Sequence, residues 1–212
     1  MTTRSAFDAK TLERRYYVDT DVYDLETENI FLRQWLYAGR SSEIEEPGAY
    51  FLFEVESESV IVLRDHEGGV HAHHNVCRHR GTRLVTEPTG TFPRSIQCMY
   101  HAWTYSLDGA LTGAPFMDEV ESFCKENYPL KPVAIVEWEG LLFLNLSPDP
   151  VPFEEAFAPL IGKFDRWELP ELRIAHRIVY DIPANWKLVF QNYSCLLYTS
   201  DAADDNRVVG GG

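Results

Sequence analysis

Between residues 77 and 101 the chain carries two short groups of soft and borderline metal ligands. They are Cys77-Arg78-His79 and Cys98-Met99-Tyr100-His101, with eighteen residues, Arg80 to Gln97, between them. Each group offers one thiolate and one imidazole at a spacing that a tight loop can converge. Two such loops side by side present two sulfurs and two nitrogens to one site. Thiolates suit zinc and iron–sulfur clusters, and imidazole suits several metals. Any fold for this chain must therefore hold two loops against each other. Gly81 follows the first group, where the backbone has to turn sharply. Trp103 to Gly109 follows the second, and its Asp108-Gly109 step between apolar residues is a hairpin signal.

Two ligand chemistries compete for this pattern. A zinc finger pairs like with like, two Cys and then two His. Here each pair is mixed, as in a Rieske [2Fe–2S] centre, where two Cys bind one iron and two His the other. Replacing two anionic thiolates by neutral imidazoles removes two negative charges from the cluster. An added electron then costs less, and the potential rises from about −400 mV to roughly −150 to +300 mV. The pattern is read as Cys77, His79, Cys98 and His101 holding such a cluster.

With their flanks, Cys77-Arg78-His79-Arg80-Gly81 and Cys98-Met99-Tyr100-His101-Ala102-Trp103 resemble the N-terminal half of the Rieske non-haem iron oxygenase alpha subunits. The resemblance runs from about Phe31 to Ser194. It implies a mainly β fold, with a small antiparallel Rieske-type sandwich or barrel, an N-terminal helical arm and the start of an α+β catalytic domain. It further implies a parent oxidoreductase that hydroxylates or demethylates an aromatic or small organic substrate. Electrons would come from NAD(P)H through a reductase, in some members also through a ferredoxin. The resemblance also implies a trimer-like homo-oligomer. The Asn192-Tyr193 region resembles the branch acting on quaternary ammonium compounds.

In the oxygenases an Asn-Trp-Lys helix like that at Asn185 leads to a mononuclear Fe(II) held by two His and one carboxylate. Here Cys195 and Leu196 stand at the carboxylate positions, and Tyr198 and Thr199 where a His is expected. No His follows His176. Residues 195–212 abandon the apolar pattern and read as foreign to the fold. The expectation is a chain cut before the iron site, with no catalytic residue of its own and inactive alone. Residues 1–34 are then the helical arm, 35–150 the Rieske domain, 151–194 the incomplete start of the catalytic domain, and 195–212 a non-native tail.

Composition narrows the alternatives. A net charge of −14 makes nucleic acid and anionic membranes poor partners. Of the four cysteines, Cys124 and Cys195 are isolated and read as incidental thiols, which suits a reducing cytoplasm. Neither a signal-peptide core nor a membrane-length apolar run is present, which argues against the membrane-anchored Rieske proteins of respiratory complexes. Two further readings stay open: a stand-alone Rieske ferredoxin-like carrier and a zinc-binding module. The carrier does not need the N-terminal arm or the residues after Pro150.

Along the chain, Thr11 to Tyr17 and Asp24 to Trp35 predict short helices. Strands are predicted at Leu36–Arg40, Tyr50–Val55, Val60–Arg64, Val133–Trp138 and Leu141–Leu146, the last two closing a hairpin around Glu139-Gly140. Apolar residues from Phe153 to Trp167 at steps of three and four predict a helix over 152–169. Alternation at Leu172, Ile174, Ile178, Tyr180 and Ile182 predicts a strand. A last helix starts at Asn185, with Trp186, Val189, Phe190 and Tyr193 inward. His66, His71, His73, His74 and His176 are expected at the surface. Arg78 and Arg80 are expected as solvated loop residues or as groups shaping the potential. Tyr100 and Trp103 are expected to keep water from the cluster.

Overall fold

The computed structural model describes residues 11–117 and 119–198, without the side chains of 195–198. It divides into two compact units, Thr27–Ala175 and a second made of Met1–Glu26 with His176–Gly212.

The first unit is built on antiparallel strands: β1 (Leu36–Arg40), β2 (Ala49–Val55), β3 (Glu58–Arg64), β4 (Val70–His74), β5 (Thr89–Thr91), β6 (Ile96–Gln97), β7 (Thr104–Tyr105), β8 (Leu111–Gly113), β9 (Ala134–Trp138) and β10 (Leu141–Asn145). They form three sheets in the orders β4-β3-β2-β5, β1-β10-β9 and β6-β7-β8. Strand β3 explains the layering. Val60-Ile61-Val62-Leu63 is an apolar run without alternation, as a strand buried on both faces requires, and all four side chains are fully buried. Ile61 and Leu63 enter a core with Tyr50, Phe92, Ile96 and Tyr105. Val60 and Val62 enter a second core with Ile44, Phe51, Leu142 and Leu144. Burial of each such side chain contributes about 1.5–3 kcal/mol, so this one strand ties both layers together.

The expected hairpin at Glu139-Gly140 joins β9 to β10, and both turn residues have positive φ, +52° and +71°. That is the twist a two-residue hairpin turn needs. The strand boundaries agree with the sequence expectation to within two residues.

Four expected elements differ. The predicted helix from Asp24 is instead α2 (Thr20–Glu26), followed by a π-type turn at Thr27–Phe31; the first arm helix, α1, covers only Arg15–Val18. The predicted helix over 152–169 shrinks to α3 (Phe153–Ala156) and 3₁₀ turns at Asp165–Trp167 and Leu169–Glu171. Pro159 and Pro170 cannot donate backbone hydrogen bonds, and Gly162 takes φ +74°. The apolar spacing survives as an aromatic cluster of Trp138, Phe143, Phe153, Phe157 and Phe164. Residues 172–182 form no strand and are exposed: alternation alone does not make one, because a ladder needs a partner.

In the second unit the last helix is α4 (Trp186–Tyr198). Its Lys187 is buried and donates to both carboxylate oxygens of Glu26 at 2.5 and 2.7 Å, and Trp186 Nε1 donates to the same group at 2.9 Å. Burial alone would raise the Glu26 pKa, but these bonds and the Lys187 charge outweigh it and hold the carboxyl below its usual value. Trp186 and Val189 are half-buried, whereas Phe190 and Tyr193, expected inward, are exposed. Residues 199–212 and the side chains of 195–198, on which the reading of a foreign tail rests, lie outside the described residues. Among the described residues no helix is long and apolar enough to cross a membrane.

Candidate iron–sulfur site

The two Cys–His groups sit on loops built on one backbone frame. In the first, which follows β4, the Cys77 amide donates to Thr82 O at 2.8 Å and the Gly81 amide returns to Cys77 O at 3.0 Å. In the second, which joins β6 to β7, the Cys98 amide donates to Trp103 O at 2.8 Å and the Ala102 amide returns to Cys98 O at 3.0 Å. Each loop thus pairs its cysteine with the residues four and five positions on. The fourth position is left-handed in both, with φ +71° at Gly81 and +56° at Ala102. Glycine takes that conformation freely, whereas alanine takes it at a steric cost. The histidine falls two residues after Cys77 and three after Cys98.

Asn75 anchors the first loop from beneath. Its Oδ1 accepts from the amides of Leu84 and Val85, both at 3.0 Å, and its Nδ2 donates to Val85 O at 2.7 Å. Sequence reasoning passed over this residue, since after the histidine-rich β4 one more polar side chain gives no signal.

The loops bring all four expected residues together. Cys77 and Cys98 are buried, free thiols, and burial followed by the neighbouring Cys98 group pushes the Cys77 pKa up. The His79 and His101 rings lie 4.8 Å apart between centroids, at 67°. Burial, then the nearby His101 and Arg80 charges, lowers the His79 pKa. Nδ1 of His101 is buried with no hydrogen-bond partner. A buried ring nitrogen without a partner is costly unless something else takes its lone pair, as a metal does. Two adjacent thiols and two adjacent imidazoles fit a two-iron cluster of mixed ligation.

Tyr105, another residue the sequence reading missed, lies on β7 beneath the first loop and is fully buried. Its hydroxyl accepts from the Arg78 amide at 3.0 Å and lies 3.3 Å from Cys77 Sγ, a hydrogen bond in which either the hydroxyl or the thiol is the donor. Burial, then the bond to Cys77, raises the phenol pKa. Trp103 is 3% exposed, whereas Tyr100, expected beside it as packing, is 60% exposed. Arg80 is solvated, while Arg78 is half-buried and its Nε lacks a partner.

The other histidines differ partly from expectation. His66 and His176 are exposed. His71 and His73 share one face of β4 with parallel rings, but His73 is buried, because the turn between β7 and β8 packs over it. Its Nε2 donates to Leu107 O at 3.0 Å, and a Cβ on Gly109 would come within 2.6 Å of its ring. His71 lies 2.7 Å from Asp65 and His74 3.2 Å from Glu58. Cys124 is exposed and donates to Glu126 at 2.7 Å.

Residues 34–124 match the family described as the Rieske [2Fe-2S] domain. The chain is 34% identical over 187 residues to the carnitine monooxygenase oxygenase subunit of Acinetobacter baumannii, covering 87% of this chain and 50% of the relative. It is 37% identical over 182 residues to the glycine betaine monooxygenase oxygenase subunit of Chromohalobacter salexigens, covering 86% and 40%. With the benzene 1,2-dioxygenase alpha subunit of Pseudomonas putida, identity is 32% over 198 residues, covering 90% and 43%. In three dimensions it superimposes on the apo form of a quaternary ammonium Rieske monooxygenase with a TM-score of 0.81 at 33% identity, over 86% of this chain and 54% of the other.

A Rieske [2Fe–2S] domain is what this fold and sequence define. The chain is a relative of the Rieske oxygenase alpha subunits, and it spans about half the length of the curated relatives it matches.

Proposed function

We propose that this chain is the electron-transfer portion of a Rieske oxygenase alpha subunit, with the cluster bound by Cys77, His79, Cys98 and His101. Two identically framed loops that converge two thiols and two imidazoles, leaving His101 Nδ1 without a protein partner, carry this reading. Bound there, the cluster supplies one-electron storage at a raised potential. The chain's own part is to orient the four ligands, donate from Tyr105 to one sulfur, and bury the two thiols in the core that also holds Trp103. Residues 35–150 form the electron-transfer domain, and residues 151–194 lead into the catalytic domain.

The parent protein uses electrons from NAD(P)H, delivered by a reductase with or without a ferredoxin, and O2 to hydroxylate or demethylate its substrate. Its catalytic iron is a mononuclear Fe(II) whose ligands are not among the residues named here. It works in the cytoplasm as a homo-oligomer. Relatives named for carnitine and glycine betaine support a quaternary ammonium substrate over an arene.

Anaerobically prepared protein is expected to show a Rieske absorption and resonance spectrum that His79→Ala or His101→Ala abolishes. A retained Rieske signal in either variant contradicts the ligand assignment. Full-length gene product supplied with a reductase is expected to oxidise carnitine or glycine betaine; turnover of benzene alone contradicts the substrate class.

A further inference from the structure

The two imidazoles are held unequally. His79 lies flat against Trp103, with ring centroids 4.8 Å apart and planes within 10°. Trp103 is in turn held by two further rings. Phe123 and Tyr128 stack on each other at 5.1 Å, and each meets Trp103 edge-on at 5.7 Å. Both braces come from the segment after β8, far in sequence from either ligand loop. That segment is fixed by the 3₁₀ turn Lys125–Asn127, with the Tyr128 amide bonded to Lys125 O at 3.0 Å, and by the bond from the Leu130 amide to Gly109 O at 2.8 Å. Apart from His79, the ring against His101 among the described residues is Tyr100, at 3.8 Å, and that ring is largely in solvent.

We infer that Trp103, clamped by Phe123 and Tyr128, is a positioning residue that fixes the plane of the His79 imidazole and closes that side of the cluster site to water. This rests on the ligand assignment above. Groups behind a metal ligand orient it and limit solvent access, and their loss typically costs about 10–100-fold in metal affinity. Here the orienting group is a flat apolar surface rather than a hydrogen-bond acceptor. An offset-stacked ring pair restricts rotation about the bond that sets the imidazole plane. A clamp on one histidine alone leaves the His101 side as the freer edge of the site.

The test uses the full chain with its cluster. Trp103→Leu is expected to alter the resonance spectrum of the reduced cluster and to speed release of iron to a chelator on the order of tenfold. Trp103→Phe, which restores a flat ring, is expected to return both towards wild type. Tyr128→Leu removes a brace without touching His79 and is expected to give a smaller change in the same direction; it remains informative if Trp103→Leu does not fold. Spectra and release rates that equal wild type in Trp103→Leu, or in Tyr128→Leu where Trp103→Leu does not fold, overturn the inference, as does Trp103→Phe behaving like Trp103→Leu. A wild-type protein with no Rieske signal overturns the ligand assignment instead, so the two failures are distinct.

Discussion

At Cys77 a single proton links the fold to the potential. The Tyr105 hydroxyl accepts from the Arg78 amide and lies 3.3 Å from Cys77 Sγ; a thiolate bound to iron has no proton to give, so in the loaded site the hydroxyl would be the donor. A donor to a thiolate sulfur withdraws charge from it and stabilises the more negative, reduced state. Tyr105→Phe is therefore expected to lower the midpoint potential of the loaded protein, read by voltammetry, with the four ligands unchanged. Ala102 makes a second residue-scale prediction. It is the alanine counterpart of Gly81, held at φ +56° in an otherwise equivalent loop. Ala102→Gly relieves that conformation and is expected to stabilise the protein by about 1 kcal/mol, raising its melting temperature by about 2–4 °C. The four proposed donors stand out in the sequence because their spacing has few other uses, and the structure brings the loops that carry them together. Tyr105 and Asn75 do not stand out, because a buried tyrosine and a strand-end asparagine look alike wherever they occur; only the loop geometry gives them their tasks.

Among the elements, β4 and the turn between β7 and β8 meet at His73, which couples the larger sheet to the small sheet beneath the cluster loops. With Nε2 donating to Leu107 O, neutral His73 leaves Nδ1 bare, and no acceptor awaits a second proton there. Burial above all, with the parallel His71 ring, lowers its pKa against the opposing pull of the Leu107 carbonyl and Asp108. A histidine lowered on folding gives stability that is complete above the unfolded value near 6.5 and is lost as pH falls towards the folded value. Melting temperature is expected to fall from about pH 8 to about pH 5, and His73→Gln, which keeps a donor for Leu107 O, is expected to flatten that slope. An equal slope in the variant places the acid sensitivity elsewhere. The strands were readable from apolar runs and turn residues, down to the positive-φ pair at Glu139-Gly140. The segments after Pro150 were not, because their apolar periodicity is real but two prolines and a left-handed glycine cut the backbone that would carry it.

Over the whole molecule, the chain combines a described Rieske domain with a second unit whose α4 turns Phe190 and Tyr193 outward while Lys187 holds Glu26. The chain spans about half the length of the curated relatives it matches, and its described residues include both Cys–His loops and the groups that support them. The claim on which everything else rests is that one mixed-ligand, two-iron cluster binds here. It is tested most directly by measuring iron, acid-labile sulfide and zinc in anaerobically purified chain, followed by a redox titration. The expected result is two irons and two sulfides per chain with a midpoint between roughly −150 and +300 mV. One zinc without sulfide, or a cluster near the about −400 mV of all-cysteine plant-type ferredoxins, would contradict it.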